Sequence, residues 1–150
     1  EMPETCLFED KYFGVERFDR IKDEKLHVVS VAGLIGADYR LPSIDYYHIF
    51  QICATLTHSM AELWKVFRLM VFNYLIENKD DHAKNFAFIY RDSEWHFSPA
   101  YDLLPSDGMN GYHTTSINDS IEPTKDDLLA VAVKAGLNKK EAEEIFTSMK

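Results

Sequence analysis

Two polar clusters hold the residues whose types and spacing best suit chemistry. The first contains Asp80 and, five positions later, Asn85, and the second contains Asp102, seventeen positions after Asn85. Their carboxylate and amide oxygens suit a hard cation such as Mg²⁺, which takes oxygen ligands and keeps waters that a phosphate-bearing substrate can replace. They suit zinc poorly, because a zinc site needs thiolates or clustered histidines.

The chain between the clusters predicts how they meet. Residues 86–90 and 94–97 have the pattern of two short strands joined by a polar turn. A hairpin of two strands of about five residues each returns to its starting edge. We therefore expect Asn85, at the hairpin entry, and Asp102, just beyond its exit, to share one small volume with the rest of the first cluster.

The same set of residues serves phosphoryl transfer, in which one carboxylate accepts a hydroxyl proton while an Asn and a second Asp hold metal ions. The Asp80–Asn85 spacing is common by itself, and its place between a helix and a hairpin makes it more specific. A plain structural interpretation stays open for each residue: a solvated helix exit for Asp80 and Asp81, a structural histidine for His82, a surface charge for Lys84 and a turn cap for Asp102.

A strongly apolar helix is predicted directly before the first cluster. Ser59 and Glu62 have the spacing of a capping box, which predicts a helix start. Apolar residues then recur nearly all round the predicted helix, as in a buried helix. They include Met60, Leu63, Trp64, Phe67, Met70, Val71, Tyr74 and Leu75. We expect this to be the central helix of the domain, with the polar run at 77–85 at its end.

Shorter patterns predict the remaining elements. Residues 12–18 and 25–31 indicate two strands joined by a polar turn at 19–24. Further predictions are a helix from Ile44 capped by Ser43, a possible short strand at 113–117, a helix from Thr124 that stops at Gly136, and a last helix opened by Asn138 and Glu141. The predicted fold class is α+β, mostly helical, with a β-hairpin after the central helix.

Composition limits the class of protein. The 150 residues, 46% of them hydrophobic, fit one globular domain or one lobe and exclude a disordered tail. No apolar run approaches the ~20 residues of a membrane span. The net charge of −9 argues against direct binding of nucleic acid and leaves a local basic patch open. Two cysteines, Cys6 and Cys53, exclude a disulfide framework, so we expect a cytoplasmic protein.

Three motifs in order carry a family resemblance. Residues 78–86 and 98–102 resemble the C-terminal region of HipA-type serine/threonine kinases of bacterial toxin–antitoxin systems, and residues 12–20 are similar to the hinge strand of that family. The resemblance implies that residues 1–150 are a protein-kinase-like C-terminal lobe. In that lobe, residues 1–36 would hold a short pair of hinge strands and residues 43–150 would form a helical part with the catalytic loop.

The resemblance also implies roles. Asp80 matches the catalytic base, while Asn85 and Asp102 match the metal-holding residues. The implied cofactors are Mg²⁺ and ATP, and the implied partners are a protein substrate with a Ser or Thr hydroxyl and a HipB-like DNA-binding antitoxin. The residues that match the nucleotide pocket are Glu16, Phe18, Asp19, His82, Lys84 and Tyr101. Glu77 departs from the family, which more often has Gly or Asn there.

The glycine-rich loop and the phosphate-binding lysine of a kinase are not found in the sequence. No Gly-x-Gly occurs, and no strand precedes the hinge motif to carry a phosphate-binding lysine. The sequence opens on Glu-Met-Pro, so we expect a piece of something longer whose N-terminal lobe is absent. Losing a charged phosphate clamp costs several kcal/mol of transition-state stabilisation, so we expect weak ATP binding and poor transfer by the isolated chain.

Two other function classes remain open. A non-catalytic split or degenerate HipA-like module that engages an antitoxin or a partner subunit is the main alternative, although the intact Asp80, Asn85 and Asp102 argue against degeneration. A metal-dependent phosphatase or nuclease is weaker. Two-metal sites usually need more carboxylates than these, and the net charge disfavours a nucleic-acid substrate.

Overall fold

The computed structural model describes residues 2–36, 44–108 and 111–150, and within these ranges it combines five helices with three small antiparallel sheets. In chain order the elements are β1 (Thr5–Phe8), β2 (Tyr12–Val15), β3 (Arg20–Ile21), β4 (Glu24–Lys25), β5 (His27–Ser30), α1 (Val31–Ile35), α2 (Tyr46–Thr57), α3 (Met60–Leu75), β6 (Ala87–Arg91), β7 (Glu94–Phe97), α4 (Lys125–Lys134) and α5 (Lys139–Met149). The predicted mixture of α and β structure is confirmed.

Helix α3 is the centre of the hydrophobic core, as predicted. It contacts α2, α4, α5 and strand β7. Its fully or nearly fully buried apolar side chains are Leu63, Val66, Phe67, Leu69, Met70 and Val71. Burying a large apolar side chain stabilises the folded state by about 1.5–3 kcal/mol. This helix is therefore a firm attachment for the polar segment that follows its C-terminal end.

The predicted capping box at the start of α3 is wrong. The Ser59 side chain makes no capping hydrogen bond. Glu62 is buried instead, and its carboxylate accepts from the Phe97 backbone N–H at 2.9 Å and from Lys65 Nζ at 2.9 Å. A buried N–H without a partner costs about 1–3 kcal/mol. Glu62 therefore stabilises the fold more by accepting the buried Phe97 N–H at the end of β7 than by capping the half-exposed start of its own helix.

The hairpin after α3 is confirmed with small shifts of its boundaries. Strands β6 and β7 pair antiparallel, with Phe88 opposite Phe97. The turn residues Asp92 and Ser93 both have left-handed φ angles of 52° and 67°, as a two-residue hairpin turn that follows the strand twist requires. The hairpin thus reverses the chain at once and returns it towards α3.

The predicted pairing of two N-terminal strands is wrong. Strand β2 pairs with β1, which the sequence pattern did not reveal, and β5 pairs with β6, so that the order of the larger sheet is β5-β6-β7. The predicted polar turn at 19–24 forms most of a second small hairpin, β3–β4. The apolar strand β6 offers β5 a buried partner, whereas every residue of β1 is exposed.

The starts of α2, α3, α4 and α5 lie within two residues of the predicted ones. Ser43 lies outside the described residues, and α2 starts at Tyr46 with Asp45 as its cap, two residues later than predicted. Thr124 and Asn138 cap α4 and α5 as predicted. The possible strand at 113–117 forms only isolated bridges. Among the described residues, no helix has the length and apolar character needed to cross a membrane.

Glu77 directly follows the C-cap of α3 and has a left-handed φ of 55°. Gly and Asn are favoured at this position after a helix because most L side chains are strained there. We expect Glu77→Asn to raise the free energy of unfolding by about 1 kcal/mol, the lower end of the left-handed penalty, measured by urea denaturation. Glu122→Asn, at an exposed residue outside the left-handed region, should change nothing, and a loss of stability in Glu77→Asn would contradict the explanation.

Candidate active site

The chain leaves α3 along a segment that backbone hydrogen bonds hold from both sides. The Asn78 N–H donates to the Asn73 carbonyl at 2.9 Å, and the Lys79 N–H donates to the Ser106 carbonyl at 3.0 Å. Gly108 completes the contact, because a Cβ on this residue would lie 2.9 Å from the Lys79 carbonyl oxygen and its φ is 61°. Residues 106–108 therefore close directly onto the start of the polar segment.

The three residues predicted to carry the chemistry lie together. Asp80, Asn85 and Asp102 line one cavity of about 140 Å³ at the end of α3. The other lining residues are Asn78, Leu104, Pro105 and Ser106. The hairpin of β6 and β7 produces this proximity, since it starts after Asn85 and ends before Asp102.

A tight loop fixes Asn85 relative to Asp80. The Asp80 carbonyl accepts the Asn85 side-chain amide Nδ2 at 3.0 Å and the His82 N–H at 2.9 Å. The Asn85 N–H donates in turn to the His82 carbonyl at 2.8 Å. Because Nδ2 of Asn85 is engaged, Oδ1 is the side-chain atom that suits a cation.

Asp102 occupies a left-handed backbone conformation with a φ of 57°. Asp tolerates this region better than most residues, although non-glycine residues there still store strain. The Asp102 carbonyl accepts Nδ2 of Asn78 at 3.3 Å, which ties the second cluster to the first. The Asp102 side chain is exposed, as is that of Asp80.

Tyr101 joins the predicted hinge to the loop. Its hydroxyl donates to the Lys84 carbonyl at 2.6 Å, and its ring centroid lies 5.7 Å from that of Phe18. Burial, reinforced by the negative charge of Asp102, raises the pKa of Tyr101 to about 12. The hydroxyl therefore stays protonated and acts as a donor at neutral pH.

The remaining predicted pocket residues lie around this arrangement rather than in the cavity wall. Glu16 is exposed, and its N–H donates to the Glu4 carbonyl at 2.8 Å. The Asp19 carboxylate bonds Arg17 and Arg20, and the hydrogen bond from Arg17 lowers the Asp19 pKa to about 2. His82 is half-buried and Lys84 is exposed. The structure thus brings together Asp80, Asn85 and Asp102, and separately Phe18, Tyr101 and Lys84.

Sequence reasoning missed the role of Asp81, for which a solvated helix exit was one interpretation. The Asp81 side chain is completely buried. Its Oδ1 accepts the Thr114 N–H at 3.0 Å and the Thr115 N–H at 3.2 Å, and its Oδ2 lies 3.1 Å from the Tyr46 hydroxyl and 3.0 Å from His113 Nδ1. These partners lie more than thirty residues away in sequence, so no local pattern points to them.

The hydrogen bonds of Asp81 continue across the core. The Tyr46 hydroxyl accepts Nδ2 of Asn73 at 3.0 Å, and Oδ1 of Asn73 accepts Nδ2 of Asn78 at 3.1 Å. Burial raises the pKa of Asp81 and raises that of Tyr46 well above its usual range. We call this set, Asp81, Tyr46, Asn73, Asn78 and His113, the buried polar network.

The cavity has the donor chemistry of a Mg²⁺ site. The cavity offers two carboxylates, from Asp80 and Asp102, and one amide, from Asn85. Among the described residues no group of three or more His, Cys, Asp or Glu side chains is arranged to hold a metal. A small set of oxygen donors fits Mg²⁺, which keeps several waters and binds phosphate oxygens in its remaining positions. The residues present therefore fit the ion that the resemblance implies.

Comparison with known proteins decides the family. The HipA-like C-terminal domain matches residues 1–150. The chain belongs to this family. The resemblance found in the sequence motifs is thereby confirmed, and the cavity of Asp80, Asn85 and Asp102 lies within a HipA-like C-terminal domain.

Curated relatives carry kinase names. The chain is 33% identical over 136 residues to "Putative kinase Y4dM" of Sinorhizobium fredii. The aligned region covers 85% of this chain and 33% of the relative. It is 31% identical over 104 residues to a "Putative kinase" of Haemophilus influenzae, which covers 61% of this chain and 30% of the relative. The chain thus spans about a third of the length of these relatives.

A solved structure shares the fold. The HipA–HipB–operator DNA complex of the Shewanella oneidensis MR-1 toxin–antitoxin system contains a chain that matches with a TM-score of 0.75 and 18% identity. The match covers 97% of this chain and 42% of that chain. At this identity the likeness concerns the fold.

The Tyr101–Lys84 hydrogen bond gives a direct test of this geometry. Tyr101→Phe removes only the donor and leaves the Lys84 carbonyl with one partner fewer, so the free energy of unfolding should fall by about 1 kcal/mol. Tyr90→Phe, at an exposed tyrosine in β6, is the matched control and should leave stability unchanged. Equal midpoints of thermal unfolding for the two variants would contradict the assignment.

Proposed function

We propose that this chain forms the kinase-like C-terminal lobe of an ATP- and Mg²⁺-dependent protein serine/threonine phosphotransferase of HipA type. The observation that carries the proposal is the shared cavity of Asp80, Asn85 and Asp102 at the end of a buried helix. Family membership and the kinase names of the relatives support the same function.

Each residue has a distinct role in this proposal. Asp80 is exposed and accepts the proton of the attacking Ser or Thr hydroxyl, which needs a carboxylate within hydrogen-bond reach. Asn85 and Asp102 hold Mg²⁺ through oxygen atoms, and the ion, when bound, neutralises charge on the phosphate oxygens. The short loop fixes Asp80 and Asn85 relative to each other, and the hydrogen bond from Asn78 to the Asp102 carbonyl ties Asp102 to the same segment.

The nucleotide lies, in this proposal, between the hinge segment and the loop. The backbone at Glu16 and Phe18 meets adenine, while Asp19, His82, Lys84 and Tyr101 line the pocket. The contact of Phe18 with Tyr101, and of Tyr101 with Lys84, supports this placement because it brings the hinge motif beside the catalytic loop.

Full activity requires more than these residues. A kinase covers the phosphates with a glycine-rich loop and neutralises them with a lysine, and this sequence has no Gly-x-Gly. The chain also spans about a third of its curated relatives. We therefore assign the phosphate clamp to an N-terminal lobe outside residues 1–150.

The partner is proposed from the chemistry and from the solved neighbour. The Shewanella protein is part of a complex with HipB and operator DNA. The present chain has a net charge of −9, which disfavours phosphate contacts of its own. A HipB-like antitoxin would thus make the DNA contacts, and the assembly would act in the cytoplasm.

Metal binding by the chain itself tests the role of Asp102. Asp102→Asn keeps a side chain that tolerates the left-handed backbone and removes the charge. We expect its Mn²⁺ affinity to fall by more than roughly tenfold, the usual effect of losing even an outer-sphere partner, as measured by paramagnetic broadening of NMR signals. Asp107→Asn, at an exposed carboxylate outside the cavity wall, is the control, and equal affinities would remove Asp102 from the metal site.

Transfer of radiolabelled phosphate tests the role of Asp80. In the longer HipA-type protein that contains this domain, Asp80→Asn should lower kcat by about 10²–10⁴, the usual contribution of a general base, with little change in stability because the side chain is exposed. Asp92→Asn, in the hairpin turn, is the control. Retained activity in Asp80→Asn would refute the base assignment, and robust autophosphorylation by residues 1–150 alone would refute the need for an N-terminal clamp.

A further inference from the structure

We propose that Asp81 is a positioning residue whose buried carboxylate fixes the loop that carries Asp80 and Asn85. The inference rests on the proposed function, because it assigns a purpose to a geometry that the function needs. The two neighbouring acids differ in burial: Asp80 is exposed and can reach a substrate, whereas Asp81 is completely buried and cannot.

Contacts hold Asp81 at both its side chain and its backbone. The carboxylate has four partners, which are the Thr114 and Thr115 N–H groups, the Tyr46 hydroxyl and the His113 ring. The Asp81 carbonyl also accepts the Thr115 hydroxyl. A buried carboxylate is tolerated only when it is paired and hydrogen-bonded, so movement of Asp81 away from these partners is costly.

That position is transmitted to Asp80 through the shared peptide unit. The Asp80 carbonyl belongs to the peptide bond with Asp81 and receives both the His82 N–H and the Asn85 side-chain amide. On the other side, the Lys79 carbonyl accepts the Thr114 N–H at 3.1 Å and its hydroxyl at 3.0 Å. The backbone that carries Asp80 is thus held before and after the residue.

A second arm of the network reaches the opposite wall of the cavity. From Asp81 the hydrogen bonds run through the Tyr46 hydroxyl to Asn73 and on to Asn78, whose Nδ2 also contacts the Asp102 carbonyl. One buried carboxylate therefore sits in a continuous set of bonds with the residues that flank both Asp80 and Asp102. Outer-sphere contacts of this kind orient metal ligands and tune their affinity.

Three variants separate positioning from simple loss of stability. Asp81→Asn removes the charge with little change of shape, and Tyr46→Phe removes only the hydroxyl that links Asp81 to Asn73. Glu62→Gln is the matched control, since Glu62 is also a buried carboxylate, and its partners Phe97 and Lys65 belong to neither the loop nor the buried polar network.

The first readout is hydrogen exchange of backbone amides in the chain itself. The His82 and Asn85 amides report the loop, because they donate to the Asp80 and His82 carbonyls. After correction for the global stability of each variant, we expect these amides to exchange about tenfold faster in Asp81→Asn and Tyr46→Phe. The size corresponds to the loss of about one net hydrogen bond that holds the loop closed, and Glu62→Gln should give the wild-type rate.

The second readout is Mn²⁺ affinity, which we expect to fall about tenfold in Asp81→Asn and to stay unchanged in Glu62→Gln. Wild-type exchange at His82 and Asn85 in both network variants would overturn the positioning role, whatever the metal affinity. Failure of the proposed function looks different: the wild-type chain would show no Mn²⁺ broadening at Asn85 or Asp102, and the exchange rates would still decide the role of Asp81.

Discussion

The structure depends on a carboxylate that is removed from water and then satisfied by partners from distant parts of the chain. Asp81 lies beyond the end of a helix with few exposed residues, and its carboxylate is hydrogen-bonded to Tyr46, His113 and the backbone N–H groups of Thr114 and Thr115. Desolvation of a charge costs several kcal/mol unless such partners are present. Asn78 and Asp81 therefore belong to the interior, although they lie in the polar segment that follows α3.

The same contacts reach both walls of the small cavity. Its walls come from a loop and from the residues after a hairpin, which are segments that usually move more than helices do. Here Asn78 joins the two walls through its hydrogen bond to the Asp102 carbonyl, and Asp81 ties the loop to Thr115. The buried side chains of Asn78 and Asp81 thus hold the segments that carry the exposed side chains of Asp80 and Asp102.

Local patterns were enough to predict α3, the hairpin, the two closing helices and the meeting of Asp80, Asn85 and Asp102, because each depends on contacts close in sequence. Long-range choices were not predictable in the same way. Strand β5 pairs with β6 rather than with the preceding predicted strand at 12–18. Glu62 accepts a hydrogen bond from the end of β7 rather than capping its own helix. Asp81 was missed for the same reason, since its partners come from segments that only the folded chain brings together.

The buried polar network also constrains how this domain can diverge. Its members come from three separate stretches of chain, around Tyr46, from Asn73 to Asp81, and at His113. Exchange of Tyr46 for Phe, for example, removes the acceptor of Nδ2 of the buried Asn73, and a buried polar atom without a partner costs about 1–3 kcal/mol. A matched exchange of two bonded partners should therefore cost less stability than either single exchange, even though the partners lie far apart in the sequence.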